Sequence, residues 1–179
     1  IKVKEFNFSV IRHFPFASID MDDVLIYDVT DSKKKDTLIY ANRLALLFNI
    51  TGIFNKDVTV RKIIFDKGNL NIRIDTAGKG NYKFWKTTDD TTSGGVIDLQ
   101  RIILKDVAIS YFDEKNHQDY NAFTKNAQLS GRFSSDEFTL TTSASLFVNQ
   151  LLVKNINYIN QKDVEVSSNL KVNTKTDVY

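Results

Sequence analysis

Strict two-residue alternation is the feature that most narrows what this chain can become. Leu70, Ile72 and Ile74 are separated by Asn71 and Arg73, and a period of two puts every second side chain on one face of an extended strand. Phe6, Phe8 and Val10 alternate in the same way with Glu5, Asn7 and Ser9. The pattern returns at Leu38 and Tyr40, at Leu44, Leu46, Phe48 and Ile50, and at Val58 and Val60. It continues through Ile97 and Leu99, through Val107, Ile109 and Tyr111, through Phe138 and Leu140, and through Val164, Val166, Leu170 and Val172. Such a chain builds sheets with one buried face. The expected fold is mostly β, with about ten short strands and little obligatory helix.

Two segments compete with that reading. Ala45 and Leu47 thicken the second face of Ala41–Phe48, where a helix rivals the strand that the alternation favours. Short helical turns are expected at Ile50–Asn55 and near Ser145–Leu152, where Leu146, Phe147, Leu151 and Leu152 fall on one helical face. Turns are expected at Asp75–Asn81, in the polar loop Thr87–Gly95 and at Lys33–Lys35, a solvated basic run between Asp31 and Asp36. With one Pro and seven Gly in the chain, the remaining turns must rely on Asn, Asp, Ser and Lys.

The sequence also echoes itself. Lys62-Ile63-Ile64-Phe65 followed by Leu70-Asn71-Ile72 matches Arg101-Ile102-Ile103-Leu104 followed by Ile109-Ser110-Tyr111 at a constant offset of 39 positions. Asp22-Asp23-Val24-Leu25-Ile26-Tyr27 resembles Lys105-Asp106-Val107-Ala108-Ile109-Ser110. Repeats of this period point to stacked units sharing one core.

The 179 residues suffice for a single domain, 1–179, and 42% hydrophobic residues are enough for a real core. The net charge of +2 comes from 24 Lys and Arg scattered among 22 Asp and Glu; without a clustered basic face, there is no case for nucleic acid as partner. No cysteine is present, which rules out disulfides, thiol nucleophiles and thiolate metal sites. The longest apolar runs, such as Leu44–Phe48, are far shorter than the roughly 20 residues that span a bilayer. The chain begins at Ile1, so it is expected to be an excised or processed piece.

Two acidic groups are candidates for chemistry. In Phe14–Asp28, FPFASIDMDDVLIYD, Asp20 and Asp22 share one strand face while Asp23 falls on the other. Apolar positions are odd at Ile19 and Met21 but even at Val24 and Ile26, so a bulge or kink is expected across Asp22-Asp23. These carboxylates are read as solvated turn residues. The second group is Asp113, Glu114, His117 and Asp119, read as an ordinary solvent-exposed loop because His117 has no ligand partner at metal spacing. Neither Gly78-Lys79-Gly80 nor Ser93-Gly94-Gly95 forms a phosphate-cradling loop, and no Gly-x-Ser-x-Gly element occurs. The expectation is a non-enzyme with no cofactor and no metal.

Phe14-Pro15, Ile19, Met21, Asp23-Val24-Leu25-Ile26, the alternating Leu38–Ile50, Ile53-Phe54, Val60-Arg61-Lys62-Ile63, Leu70–Asp75 and Gly80-Asn81 follow one another in an order that resembles the N-terminal part of AsmA-like and TamB-like envelope proteins. The likeness spans about residues 6–85, and the remainder is similar to the β-repeats of Bacteroidota-type members. Lys67-Gly68-Asn69 departs from it where the family often has a proline, and the family's N-terminal membrane helix is not in this sequence. The resemblance implies a periplasmic segment of a protein anchored to the inner membrane through an upstream helix. It also implies a curved antiparallel sheet or open half-barrel, a β-groove, with one or two short helices, whose apolar groove would contact phospholipid or other acyl chains in lipid transport or outer-membrane homeostasis.

Under that reading Val24, Ile26, Leu70, Ile72, Ile74, Val107, Ile109 and Tyr111 line the groove. Alternation alone fits a closed core equally well. One alternative is a β-sandwich surface module binding a glycan or protein partner, with Tyr82, Phe84 and Trp85 as its aromatic platform; a remoter one is an enzyme using Asp113, Glu114 and His117.

Overall fold

The computed structural model describes residues 1–28, 36–50, 59–81, 97–133 and 137–173. Eight strands follow in chain order: β1 (Glu5–His13), β2 (Phe16–Tyr27), β3 (Thr37–Asn49), β4 (Val60–Ile74), β5 (Ile97–Asp113), β6 (Gln118–Ser130), β7 (Glu137–Val153) and β8 (Ile156–Asn173). They form one sheet whose spatial order equals the chain order, with β1 and β8 as its free edges. Every neighbouring pair is antiparallel except β4 and β5, which run parallel. The expected mostly antiparallel, open sheet is therefore what the chain adopts. All eight strands belong to this one sheet, whereas a sandwich requires two packed ones.

The strands are fewer and longer than expected, and one device accounts for it. Asp23, Lys67 and Asp106 have φ of 49°, 55° and 51°, a left-handed conformation that non-glycine residues rarely adopt. Pairs Asp22↔Arg43 and Val24↔Ala41 flank the first, Asp66↔Lys105 and Gly68↔Val107 the other two. These three residues therefore lie on one line across the sheet. At that crease β2, β4 and β5 switch which parity faces inward, so runs that read as separate strands, Lys62–Phe65 and Leu70–Ile74, are both β4. The expected change of register at Asp22-Asp23 is present as a kink, and the pairing of β2 with β3 passes through it without an inserted residue.

The crease also curves the sheet. Ile26, Ile39, Leu70 and Ile109 on one side of it and Ile19, Leu46 and Ile102 on the other all pack on the same buried cluster, which includes Met21, Val24, Ala41, Phe65, Leu104 and Val107. Val24 is 1% exposed and Val107 0%. Rows flanking the crease can meet over one cluster only if the sheet folds toward that face. It still does not close. The first and last strands in its order, β1 and β8, do not pair with each other.

Gly68 occupies the tightest point. A Cβ there would lie 1.9 Å from the Tyr40 carbonyl oxygen and 2.7 Å from Phe65 Cε2, so β3 and β4 approach each other at a distance that excludes any side chain.

The offset of 39 has a direct structural meaning. β4 and β5 pair in parallel with Lys62 opposite Arg101, Ile63 opposite Ile102, Phe65 opposite Leu104 and Leu70 opposite Ile109. The echo is the register itself, and it stacks like on like. The second echo marks equivalent crease positions, Asp23-Val24 and Asp106-Val107, each a left-handed Asp followed by a buried Val.

One expectation fails outright. Ser145–Leu152 is strand within β7, not a helical turn, because its residues pair in ladders with both β6 and β8, and that tertiary pairing overrides the helical spacing of its leucines. Ala41–Phe48 is strand, as favoured. The turn at Ile50–Asn55, apart from Ile50, the loop Thr87–Gly95, the run Lys33–Lys35 and the platform Tyr82, Phe84 and Trp85 lie outside the described residues.

Candidate functional site

Directly opposed residues in neighbouring strands share a face, so the registers can be followed from edge to edge. One row runs Phe6, Met21, Leu44, Phe65, Leu104, Ala127, Ala144, Val166, one residue from each of the eight strands and all apolar. The adjacent row, one residue along each strand, runs Glu5, Asp22, Arg43, Asp66, Lys105, Asn126, Ser145, Glu165 and is entirely polar. It lies on the opposite face, knit by an Arg43–Asp66 ion pair at 3.4 Å and a 2.9 Å hydrogen bond donated by Ser145 Oγ to Glu165. At about 4.8 Å between strands, the apolar row is roughly 34 Å wide.

The eight residues proposed from sequence fall on this apolar face in neighbouring rows. Val24, Ala41, Gly68 and Val107 form one row; Ile26, Ile39, Leu70, Ile109, Ala122 and Val148 form the next; Ile72, Tyr111, Tyr120, Leu151 and Ile159 form a third. Ile74, opposite Asp113, ends the set. Their burial divides them. Val24 and Val107 are sealed in the crease and support the fold, whereas Ile26, Leu70, Ile72, Ile74, Ile109 and Tyr111 are half-buried and form the accessible floor. Tyr111 and Tyr120 stack with ring centroids 5.2 Å apart.

Sequence reasoning missed the margin of this surface. Phe6 and Phe8 oppose Met21 and Ile19, so they extend the apolar face onto the edge strand, where they are 64% and 65% exposed. Their alternation with Glu5, Asn7 and Ser9 was the available signal. Met21, Leu44, Phe65 and Leu104 were missed because they lie on the far side of the crease, in the opposite parity from Val24, Leu70 and Val107.

The acidic candidates form no shared site. Asp20 corrects the reading of solvated turn carboxylates: it is 1% exposed. It is bonded by Arg12 Nη1 at 3.2 Å, His13 Nε2 at 3.4 Å and Ser18 Oγ at 3.1 Å. The β1–β2 hairpin, turning at Phe14-Pro15, folds Arg12 and His13 back over it. Asp23 instead pairs with Lys4 at 3.2 Å and accepts a bond from the Tyr40 hydroxyl at 3.4 Å.

Asp113 is also buried rather than a solvent-exposed loop residue, at 1% exposure, while Glu114 and His117 are exposed in the β5–β6 turn. Burial works to raise its pKa. Bonds from the Asn116 N–H at 2.9 Å and the Asn116 side-chain amide at 2.8 Å, then from the Tyr111 hydroxyl and the Lys115 N–H, outweigh it and hold the carboxyl below its ordinary 3.8. Its oxygens are committed to the turn. Ionised Asp113 therefore stabilises the fold above that ordinary value, and the contribution is lost as pH falls through and below it. Melting curves of Asp113→Asn are expected to show a lower midpoint than wild type at pH 7 and a smaller loss between pH 5 and pH 2.5; parallel pH profiles would refute this role.

Asp119, on the polar face, is held by Asn121 at 2.8 Å and Gln150 at 3.0 Å. Among the described residues no three His, Cys, Asp or Glu side chains are grouped to hold a metal. The chain matches no family model, no curated protein and no solved structure.

Proposed function

We propose that this chain is a non-enzymatic, lipid-contacting segment of a cell-envelope protein, and that its apolar face shields acyl chains of phospholipid. The observation that carries the reading is the apolar row that crosses an unclosed sheet from edge to edge, with an all-polar row beside it on the opposite face. A soluble chain rarely leaves a large contiguous apolar surface without a use for it. Each methylene moved from water onto such a surface is worth about 0.8 kcal/mol, and a channel of half-buried side chains offers that stabilisation anywhere along its length.

The resemblance to AsmA-like proteins supplies the setting: a periplasmic location, an inner-membrane anchor upstream, and lipid transport or outer-membrane homeostasis as the process. Native mass spectrometry of gently purified protein is the direct test. Co-purifying phospholipid is the expected result. Lipid-free protein that also fails to bind an apolar fluorescent probe would refute the reading.

A further inference from the structure

Several cations of the sheet pair with carboxylates: Arg43 with Asp66, Arg73 with Asp36, Arg12 with Asp20 and Lys4 with Asp23. Lys62 and Arg101 share a different setting. They stand directly opposite each other on the parallel strands β4 and β5, about 4.8 Å apart along the backbone, and neither has a carboxylate in ion-pair reach among the described residues. The Lys62 ammonium sits 4.9 Å above the Phe16 ring. Both cations line a cavity of about 320 Å³ whose other described walls are Phe16, Asn49, Arg61 and Gln100, none of them acidic. Its volume is at the small end of ligand sites.

We infer that this cavity is an oxyanion site for a phosphate group, with Lys62 and Arg101 as its two charged ligands. A guanidinium offers two parallel N–H donors to neighbouring oxygens and an ammonium adds a compact point charge, a pairing suited to a multi-oxygen anion. Burial, and secondarily the charge of Arg101, lower the Lys62 pKa, so without an anion the two cations oppose each other; a bound anion reverses that sign. The phosphate belongs either to a free small molecule or to a lipid headgroup at the end of the sheet. The site itself is independent of the acyl-chain reading.

Thermal melts at constant ionic strength separate these cases. Inorganic phosphate at roughly ten times its Kd is expected to raise the wild-type midpoint by about 3–6 °C over chloride, and the Lys62→Gln/Arg101→Gln variant is expected to lose that shift. A shift with dihexanoyl phosphatidate but not with inorganic phosphate, again lost in the variant, supports a headgroup site. No shift with either, or equal shifts in wild type and variant, overturns the proposal. If dihexanoyl phosphatidylcholine gives the same shift as the phosphatidate in both proteins, acyl contact survives and the oxyanion site does not. Broadening of the inorganic phosphate 31P signal by wild type, reduced with Lys62→Gln and with Arg101→Gln singly, reads the site even where the double variant folds poorly; equal broadening by all three proteins counts against it.

Discussion

Gly68→Val is expected to cost the fold about 3 kcal/mol or more, lowering the melting midpoint by roughly 6–12 °C in a domain of this size. The first added carbon already meets the Tyr40 carbonyl oxygen at 1.9 Å and its carbonyl carbon at 2.9 Å. Backbone atoms cannot rotate aside, so relief requires β3 and β4 to separate where Ala41 opposes Gly68 and Gly68 opposes Val107. That separation opens the crease and exposes Val24 and Val107. Gly68→Ala should fall the same way by a smaller margin. A denaturation midpoint for Gly68→Val within 1 °C of wild type would show that the close approach is not what requires glycine.

Leu70→Glu and Ile109→Glu are expected to weaken binding of an acyl-chain probe roughly fifty-fold each, with the sheet intact. These residues oppose each other on the apolar face and are only half-buried, so a carboxylate there can still reach water when the groove is empty. An acyl chain laid over it must either bury that charge or give up contact with about three methylenes, worth about 2.4 kcal/mol. Asn126→Glu, on the polar row beside Lys105, is the matched control and should leave probe affinity unchanged. Equal affinities for all three variants, measured by fluorescence titration with circular dichroism as the check on folding, would place the acyl contact elsewhere or nowhere.

Much of this architecture was written in local pattern. Alternation in Leu70–Ile74 and Val107–Tyr111 announced strands with one apolar face, because side-chain direction in an extended chain depends only on parity. The odd-to-even change between Met21 and Val24 announced the kink at Asp23. The echo at 39 positions announced that two stretches are equivalent. The buried state of Asp20 and Asp113 was not legible, since a carboxylate looks the same in sequence whether water or a turn of amides surrounds it.

What the sequence by itself determined is therefore the pleat: which side chains share a face within each strand, and where that assignment reverses. The three-dimensional fold decided how those faces join. Nothing local specifies that β4 and β5 pair in parallel, turning an internal echo into a register that places Leu70 on Ile109 and Lys62 on Arg101. Nor does anything local align Asp23, Lys67 and Asp106 into one crease. Hydrogen bonds between distant segments set both, because a strand's backbone groups find partners only outside the strand. They convert eight separate alternations into one continuous apolar face.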